Sequence, residues 1–261
     1  DCAMGAAGDM LMAALLELLP DRDAFLRDMN ALGLPGIEVT AEPSVKCGVT
    51  GTHVHVFVHG EEEGHEHHDH EHEHGHEHHH TGLHEIEHRI GQLPVPEAVR
   101  EDAWAVYRAI ADAESRVHGA PVDQIHFHEV GTLDALADVV GVCWLMHRLA
   151  PDAVYASPVH VGSGQVKCAH GILPVPAPAT ALLLEGIPCY GGAVRGELCT
   201  PTGAALLRHF ATRFGAMPPM RVQAIGYGLG KKEFEAANCV RAMLGESGSA
   251  GDTVTELSCN V

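Results

Sequence analysis

Apolar and polar residues follow two different periods along this chain. Between positions 52 and 59, Val54, Val56 and Val58 alternate with polar and aromatic residues, which predicts a half-buried strand. The opposite face of that strand carries His53, His55, Phe57 and His59. These histidines either continue the metal-binding character of the segment that follows or form an ordinary polar face towards solvent.

The remaining pattern mixes helices with strands. Apolar residues at helical spacing predict helices over residues 9–16, 23–32, 84–90, 97–117, 132–149, 177–184 and 203–214. Short apolar runs predict strands over residues 154–161, 221–225 and 239–244. This order indicates an α/β or α+β fold with helices packed on a mixed sheet. We divide the chain into a first part of the core (1–60), a loop (61–82), the rest of the core (83–245) and a linker (246–261).

The His/Glu tract, residues 61–80, has no apolar residue and alternates histidine with acid. It has nothing to bury, so we expect it to be a disordered or surface loop. Imidazole suits nickel, zinc and copper, and the carboxylates add oxygen donors. The predicted ligands for a late divalent ion are His65, His67, His68, His70, His72, His74, His76, His78, His79 and His80. An expression tag or a merely solvated linker are the alternatives.

Composition limits the classes of function. The 261 residues carry a formal net charge of −19, and eight acids of the tract leave about −11 for the rest. Such a charge disfavours nucleic-acid binding, and no apolar run approaches the ~20 residues of a membrane span. The eight cysteines are scattered without a C-x-x-C pair, which favours reduced thiols in a cytoplasmic protein. We expect the natural N-terminus to lie upstream of Asp1.

The densest set of reactive side chains is the segment HFHEVGTLDALAD, residues 126–138. His126 and His128 share a face of an extended segment, and Asp134 and Asp138 share a face of the following helix. With Glu129 they predict a metal or acid–base site. Helix capping plus one buried polar pair is the alternative.

Three glycine-containing segments predict anion-binding loops. Residues 162–171 include Lys167 and His170, and the segment TPTG (residues 200–203) enters a predicted helix whose N-terminus can bind phosphate. The loop at residues 226–232 carries two lysines and either contacts phosphate or turns a hairpin. A simple turn and a plain N-cap are the alternatives for the first two.

Taken together and in this order, these segments resemble the LarC-type nickel insertion proteins. The resemblance rests on DCAMGAAGDM, VHGAP, HFHEVGTLDALADVVG, SPVHVGSGQVKCAHGILPVPAPA, ELCTPTG, GYGLGKKEF and NCVRAMLGE. It implies CTP-dependent insertion of nickel into a dithiolated pyridinium mononucleotide, which yields the nickel-pincer cofactor of lactate racemase and related enzymes. It also implies that this chain is the first half of such a protein. CTP with its divalent metal would be bound by a second half that begins near Glu256.

The expected roles combine the resemblance with the residue chemistry. His126, His128 and Glu129 would hold nickel for transfer together with Asp9 and His170, and Asp134 and Asp138 would orient them or hold a second ion. Lys167, His170, Thr200, Thr202 and Gly203 would bind the mononucleotide. Ala135 stands where a serine is common in the family, so a hydroxyl role at that position is not expected.

Two other functions fit the same residues. A nickel storage protein or metallochaperone would need only the tract. A metal-dependent hydrolase could use His126, His128, Asp134 and Asp138 around zinc or manganese, although no H-E-x-x-H spacing is present. The expected partners are the mononucleotide substrate, a cofactor-dependent racemase and a second copy of the chain. We expect His126, His128, Asp9 and Asp134 to lie in one cleft.

Overall fold

The structure is a computed structural model that describes residues 1–62, 81–127, 133–168 and 171–247. Its helices are α1 (Gly8–Leu16), α2 (Arg22–Asn30), α3 (Leu83–Gln92), α4 (Glu97–His118), α5 (Leu133–Leu149), α6 (Pro178–Leu183) and α7 (Pro201–Phe210). A short 3₁₀ helix spans Val122–Gln124. The long strands are β1 (Ile37–Lys46), β2 (Val49–Val58), β14 (Met220–Leu229) and β15 (Cys239–Ser247).

Eleven short strands complete the described part of the chain. They are β3 (Glu61–Glu62), β4 (Thr81–Gly82), β5 (His126–Phe127), β6 (Tyr155–Ala156), β7 (Val159–His160), β8 (Gly162–Ser163), β9 (Gln165–Cys168), β10 (Gly171–Pro174), β11 (Cys189–Tyr190), β12 (Gly196–Glu197) and β13 (Arg213–Phe214). All but β3 form two-stranded pairs outside the main sheet.

The main sheet has the order β1-β2-β14-β15, with β3 added to β2. Hairpin β1–β2 is antiparallel and turns at Cys47 and Gly48, and β14–β15 is antiparallel as well. The two hairpins meet in parallel where Thr52 of β2 lies opposite Gly228 of β14. The mixed sheet that the sequence predicts is therefore confirmed.

Helix α1 lies between this sheet and the other helices. It packs on β14 and β2 on one side and on α5 on the other, and α5 packs in turn on α4. Helix α4 also contacts α3, α6 and α7, and its Tyr107 and Ile110 are fully buried. The first turn of α1 is thus held by core packing on both sides.

Most predicted elements are confirmed, and the differences have local causes. The helix expected over 203–214 begins at Pro201 and ends at Phe210, after which Arg213 and Phe214 pair with β6. The strand expected over 154–161 is interrupted before Pro158, which has no N–H to continue a ladder. Strand β1, with its weak apolar alternation, was not predicted.

The glycine-rich segment at 226–232 is not a loop up to Leu229, since β14 runs through Gly226 and Gly228. A Cβ on Gly228 would lie 1.9 Å from the Met10 carbonyl oxygen, and one on Gly226 would lie 2.1 Å from that of Ala14. These glycines therefore let α1 pack directly on the sheet. Strand β15 likewise continues to Ser247, past the position where the linker was expected to begin.

Candidate metal-handling site

Three carboxylates converge where α1 and α5 begin. Asp9 lies in the first turn of α1 and Asp134 in the first turn of α5. Asp138 follows one turn later and packs on Gly8, where an added Cβ would lie 2.6 Å from its Oδ2 atom. We call Asp9, Asp134 and Asp138 the carboxylate cluster. Asp9 and Asp134 both lie close enough to Asp138 for their charges to act on it, and the predicted cleft that also holds His126 and His128 stays a prediction.

The cluster favours protonation or a bound cation. Burial is the main cause that raises the pKa of Asp9 and of Asp138. For Asp138 the negative charges of Asp9 and Asp134 raise the pKa further, to well above its ordinary value. His53 and Lys231 favour the ionised form of Asp9. A divalent ion would relieve the repulsion among these carboxylates.

Buried oxygens of the cluster have unmet bonding capacity. Oδ1 of Asp134 and Oδ1 of Asp138 are buried and have no hydrogen-bond partner among the described residues. The buried Tyr107 hydroxyl also has no hydrogen-bond partner among the described residues. Burial, and then the negative charges of Asp134 and Asp138, raise the pKa of Tyr107 well above its usual value. Because buried polar groups in native proteins are normally satisfied, these atoms point to a ligand.

A second group of potential ligands lies on strands β2 and β3. Donor atoms of His53, His55 and Glu62 all lie within 4.8 Å of one another, and no other group of three such residues does so in the described part of the chain. The two imidazole rings meet edge to face with centroids 4.3 Å apart. His53 is only 7% exposed, so the alternative of a solvent-facing polar strand is wrong for this residue. We call these three residues the His–His–Glu group.

Hydrogen bonds fix the orientation of this group. His53 Nδ1 lies 2.6 Å from the Leu229 carbonyl oxygen, which can only accept, so Nδ1 carries the proton. His55 Nδ1 contacts Glu62 at 2.9 Å, and its Nε2 contacts Glu42 at 3.1 Å. The half-buried Glu62 also forms an ion pair with Lys231, in which Nζ lies 2.7 Å from Oε1.

Glu62 is held in its ionised form. Burial alone would raise the pKa of Glu62, but hydrogen bonds from Lys231 and His55 outweigh it, so the pKa lies below its usual value. The charge of Lys231 also opposes the rise that burial causes in the pKa values of Asp9 and Asp138, although both stay raised. The Lys231 ammonium is therefore electrostatically coupled to both groups. Lys231 pairs with a carboxylate in the structure, and phosphate contact by the lysines of this segment stays a prediction.

The two ends of the His/Glu tract leave the fold at histidine-bearing strands. Glu62, its last described residue on one side, pairs with Phe57 of β2, and Thr81 on the other side pairs with Phe127 of β5. Strand β5 begins with His126. Residues 63–80 lie outside the described residues, so the expected disorder and metal ligation of the ten tract histidines stay predictions.

The TPTG segment lies beside the start of α1. Thr200 N–H donates to the Ala6 carbonyl oxygen at 3.0 Å, and Thr200 Oγ1 accepts from Gly203 N–H at 3.1 Å, as a plain N-cap does. A Cβ on Gly203 would lie 2.1 Å from the Ala6 carbonyl oxygen. The N-termini of α1 and α7 are therefore adjacent, and α1 has no side-chain cap of its own at Ala7. Thr202 is half-buried in the first turn of α7.

Other predicted site residues are only partly placed. Lys167 is exposed on β9 and has no ion-pair partner in the described ranges. His128, Glu129 and His170 lie outside the described residues, and only the backbone of His126 is described. The structure thus brings Asp9, Asp134 and Asp138 together and leaves the histidine ligands of the predicted cleft untested.

The sequence comparison fits this arrangement of carboxylates and histidines. A family model described as "Nickel insertion protein" matches residues 1–261. The chain belongs to the nickel insertion protein family.

Curated relatives agree with the family assignment. A protein of Desulfitobacterium hafniense is 42% identical over 246 residues, which cover 94% of this chain and 57% of the relative. Proteins of Clostridium kluyveri and Acetivibrio thermocellus are 40% and 36% identical and are covered over 61% and 64% of their lengths. All three are named pyridinium-3,5-bisthiocarboxylic acid mononucleotide nickel insertion protein. The chain thus spans about 60% of the length of these relatives. No solved structure matches the chain.

Two further observations agree with the composition. Among the described residues, no helix has the length and apolar character that a membrane crossing requires. The seven described cysteines are all free thiols, as their scattered positions predict.

Of four further residues near the candidate site, the sequence left the role of three open and gave no indication of the fourth. His53 and His55 were visible as an alternating face, but the alternation alone did not distinguish a ligand pair from a polar surface. Lys231 stood in a glycine-rich segment that suggested phosphate. Tyr107 lies at an ordinary core position of α4 and gave no signal.

Proposed function

We propose that this chain supplies the nickel-handling part of a protein that inserts nickel into pyridinium-3,5-bisthiocarboxylic acid mononucleotide. The supporting observation is the carboxylate cluster, whose buried Asp134 and Asp138 oxygens have no partner within the described ranges. Family membership and the printed function of the relatives supply the identity of the metal and of the acceptor.

The chain's own residues would act in sequence. Asp9, Asp134 and Asp138 hold the nickel ion, which would offset the burial and like-charge repulsion that raise the pKa of Asp138. His126, His128, Glu129 and His170 complete the nickel ligands. Nickel then passes to the soft sulfur donors of the substrate, which bind it more strongly than carboxylate oxygens do.

The phosphate of the substrate would lie between the helix starts of α1 and α7. Backbone N–H groups at helix N-termini bind phosphate, and here two such termini are adjacent through the Ala6–Thr200 hydrogen bond. Thr200, Thr202 and Gly203 would contact the phosphate, and Lys167 and His170 would contact the rest of the nucleotide.

Further parts of this proposal follow the resemblance. CTP with its divalent metal would be bound by the part of the relatives that this chain does not span, and the product would be transferred to a racemase of the lactate racemase type. The reaction would take place in the cytoplasm, and the protein would act as a homo-oligomer.

The test is His128→Ala and Asp134→Asn in a full-length relative, with nickel content by equilibrium dialysis and activation of a pincer-dependent racemase as readouts. We expect each change to abolish activation while total nickel content stays nearly unchanged, because the tract binds metal in parallel at many imidazoles. The control is Asp112→Asn, which removes an exposed carboxylate of α4.

Three results would contradict the proposal in different ways. Unchanged activation would remove the substituted residue from the mechanism. A parallel loss of nickel content and activation in His128→Ala would make residues 126–138 the main metal store. Loss of activation in Asp112→Asn would show that the assay reports overall charge instead of the cluster.

A further inference from the structure

The His–His–Glu group has the features of a metal site that is separate from the carboxylate cluster. Two imidazoles and one carboxylate, with all donor atoms within 4.8 Å of one another, match the ligand types that bind nickel and zinc. Two of the three residues come from one strand at positions two apart, and β2–β3 pairing brings in the third. The ordered sheet therefore fixes the spacing of the ligands.

The hydrogen bond of His53 prepares its ring for metal binding. Since Nδ1 donates its proton to the Leu229 carbonyl oxygen, the lone pair of the neutral ring is on Nε2. Metal-bound histidines commonly donate their other N–H to a backbone carbonyl or carboxylate in this way, which fixes tautomer and ring orientation. His53 is buried, so this orientation is kept by packing as well.

His55 and Glu62 already have charged partners at the position of the proposed ion. The two ring nitrogens of His55 contact the carboxylates of Glu62 and Glu42, at 2.9 and 3.1 Å. Glu62 receives a second donor from Lys231. A divalent ion bound to His55 Nδ1 and Glu62 would displace the ammonium of Lys231 from Glu62.

The place of the group in the chain indicates what it would do. Glu62 belongs to the His/Glu tract, and strand β2, which carries His53, packs on helix α1, which carries Asp9. The group therefore adjoins the helix of the carboxylate cluster and, at Glu62, includes the last described residue at the N-terminal end of the tract.

We propose that His53, His55 and Glu62 form a relay site that takes a late divalent ion from the tract and passes it to the carboxylate cluster. The assignment of nickel as the ion and the direction of passage rest on the proposed function. The existence of the site does not.

Metal binding by the chain itself tests the site. The background is the whole chain with its ten tract histidines replaced by asparagine, and the probe is Ni²⁺ or Co²⁺ in equilibrium dialysis. In this background we expect a site whose affinity falls at least about tenfold in His55→Ala and in Glu62→Gln, as typical for loss of a supporting or direct ligand. Co²⁺ absorption should lose its imidazole-dependent bands in His55→Ala.

Two controls separate ligand loss from general damage. His209→Ala removes a histidine that pairs with one carboxylate, Asp102 at 2.8 Å, but belongs to no three-ligand group in the described part of the chain. It should leave the affinity unchanged. Glu62→Gln conserves shape, so it guards against misfolding, and unchanged thermal unfolding would confirm an intact fold. Undiminished affinity in both site variants would overturn the proposal.

Substitution of Lys231 provides a test in which the metal affinity is expected to rise. Because its ammonium pairs with Glu62 and would compete with a cation there, Lys231→Gln should tighten metal binding several-fold. Lys232→Gln removes the same charge from the next residue and should have a much smaller effect. Equal or absent effects in the two variants would contradict the displacement of Lys231 and with it the location of the ion at Glu62.

Racemase activation in the full-length relative distinguishes the two proposals. If metal binding depends on the His–His–Glu group but the full-length protein never activates the racemase, the site stands and the proposed function fails. If activation proceeds at the wild-type rate when the corresponding His55 and Glu62 variants have lost their site, the relay role fails and the proposed function stands.

Discussion

At the scale of residues, the carboxylate of Asp138 works against folding at neutral pH. Burial and the charges of Asp9 and Asp134 raise its pKa, so the folded state binds a proton that the unfolded state has released. For such a group stability is greatest below the unfolded pKa of about 3.9 and falls as pH rises through the folded pKa. A carboxylate that destabilises the fold is explained if its function is to bind a cation.

We predict that Asp138→Asn raises the melting temperature at pH 7 by a few degrees, since a gain of 1 kcal/mol corresponds to about 2–4 °C in a domain of this size. The same variant should lose nickel transfer in the full-length relative. Thermal unfolding from pH 4 to 8 is the measurement, and the decline of stability with rising pH should be smaller than in the unsubstituted chain.

Asp152→Asn is the matched control, because Asp152 is exposed in the loop after α5. It should leave both the melting temperature and its pH dependence unchanged. A lower melting temperature for Asp138→Asn would mean that the Asp138 carboxylate is a structural hydrogen-bond acceptor and not an unfavourable charge.

Spacing in the sequence could predict the carboxylate pair but not its partners. Asp134 and Asp138 are four apart on a helix, so their common face follows from the helical period. Asp9, His53 and Lys231 reach the same region from distant parts of the chain through the packing of α1 on both β2 and β14. No local period encodes that contact, and two glycines of β14 make it possible.

At the scale of elements, the close approach of α1 to β14 positions Asp9. Gly228 faces the carbonyl of Met10, the residue after Asp9, at a distance that leaves no space for a side chain. Glycine in a strand interior often marks such a backbone approach. The sequence pattern G-x-G suggested a loop because loops and close packing both require glycine, and residue identity alone does not separate them.

We predict that Gly228→Ala destabilises the chain by about 3 kcal/mol or more, because α1 must move away from a Cβ that would lie 1.9 Å from a backbone oxygen. Chemical denaturation measures the change. In the full-length relative, nickel transfer should fall with it, since Asp9 moves with the helix.

Gly91→Ala is the control for the same chemical change. Gly91 lies in α3, and an added Cβ there would meet nothing within 4 Å. Alanine has the higher helix propensity, so this variant should be stabilised by up to about 1 kcal/mol. Equal effects at the two positions would show that the contact between α1 and β14 does not restrict residue 228.

At the scale of the whole molecule, negative charge is concentrated at the tract. Eight of the acids that give the net charge of −19 lie in residues 61–80, and none of the sixteen lysines and arginines does. A local excess of one sign raises the concentration of counter-ions nearby and speeds their capture. The tract joins the fold at Glu62, so captured cations would arrive beside His53 and His55.

We therefore predict that nickel loading slows several-fold as ionic strength rises, because the Debye length falls from about 30 Å at 0.01 M to about 3 Å at 1 M. Stopped-flow mixing with Ni²⁺ measures the rate.

Replacing Glu66, Asp69, Glu71 and Glu73 by their amides should slow loading at low salt and weaken its salt dependence. The matched variant neutralises four exposed acids elsewhere, Glu97, Glu101, Asp112 and Asp123, so its net charge is the same. If both variants slow loading equally, total charge governs capture and the tract has no special part in it. A slower rate for the tract variant alone would show that its local field brings the metal to the fold.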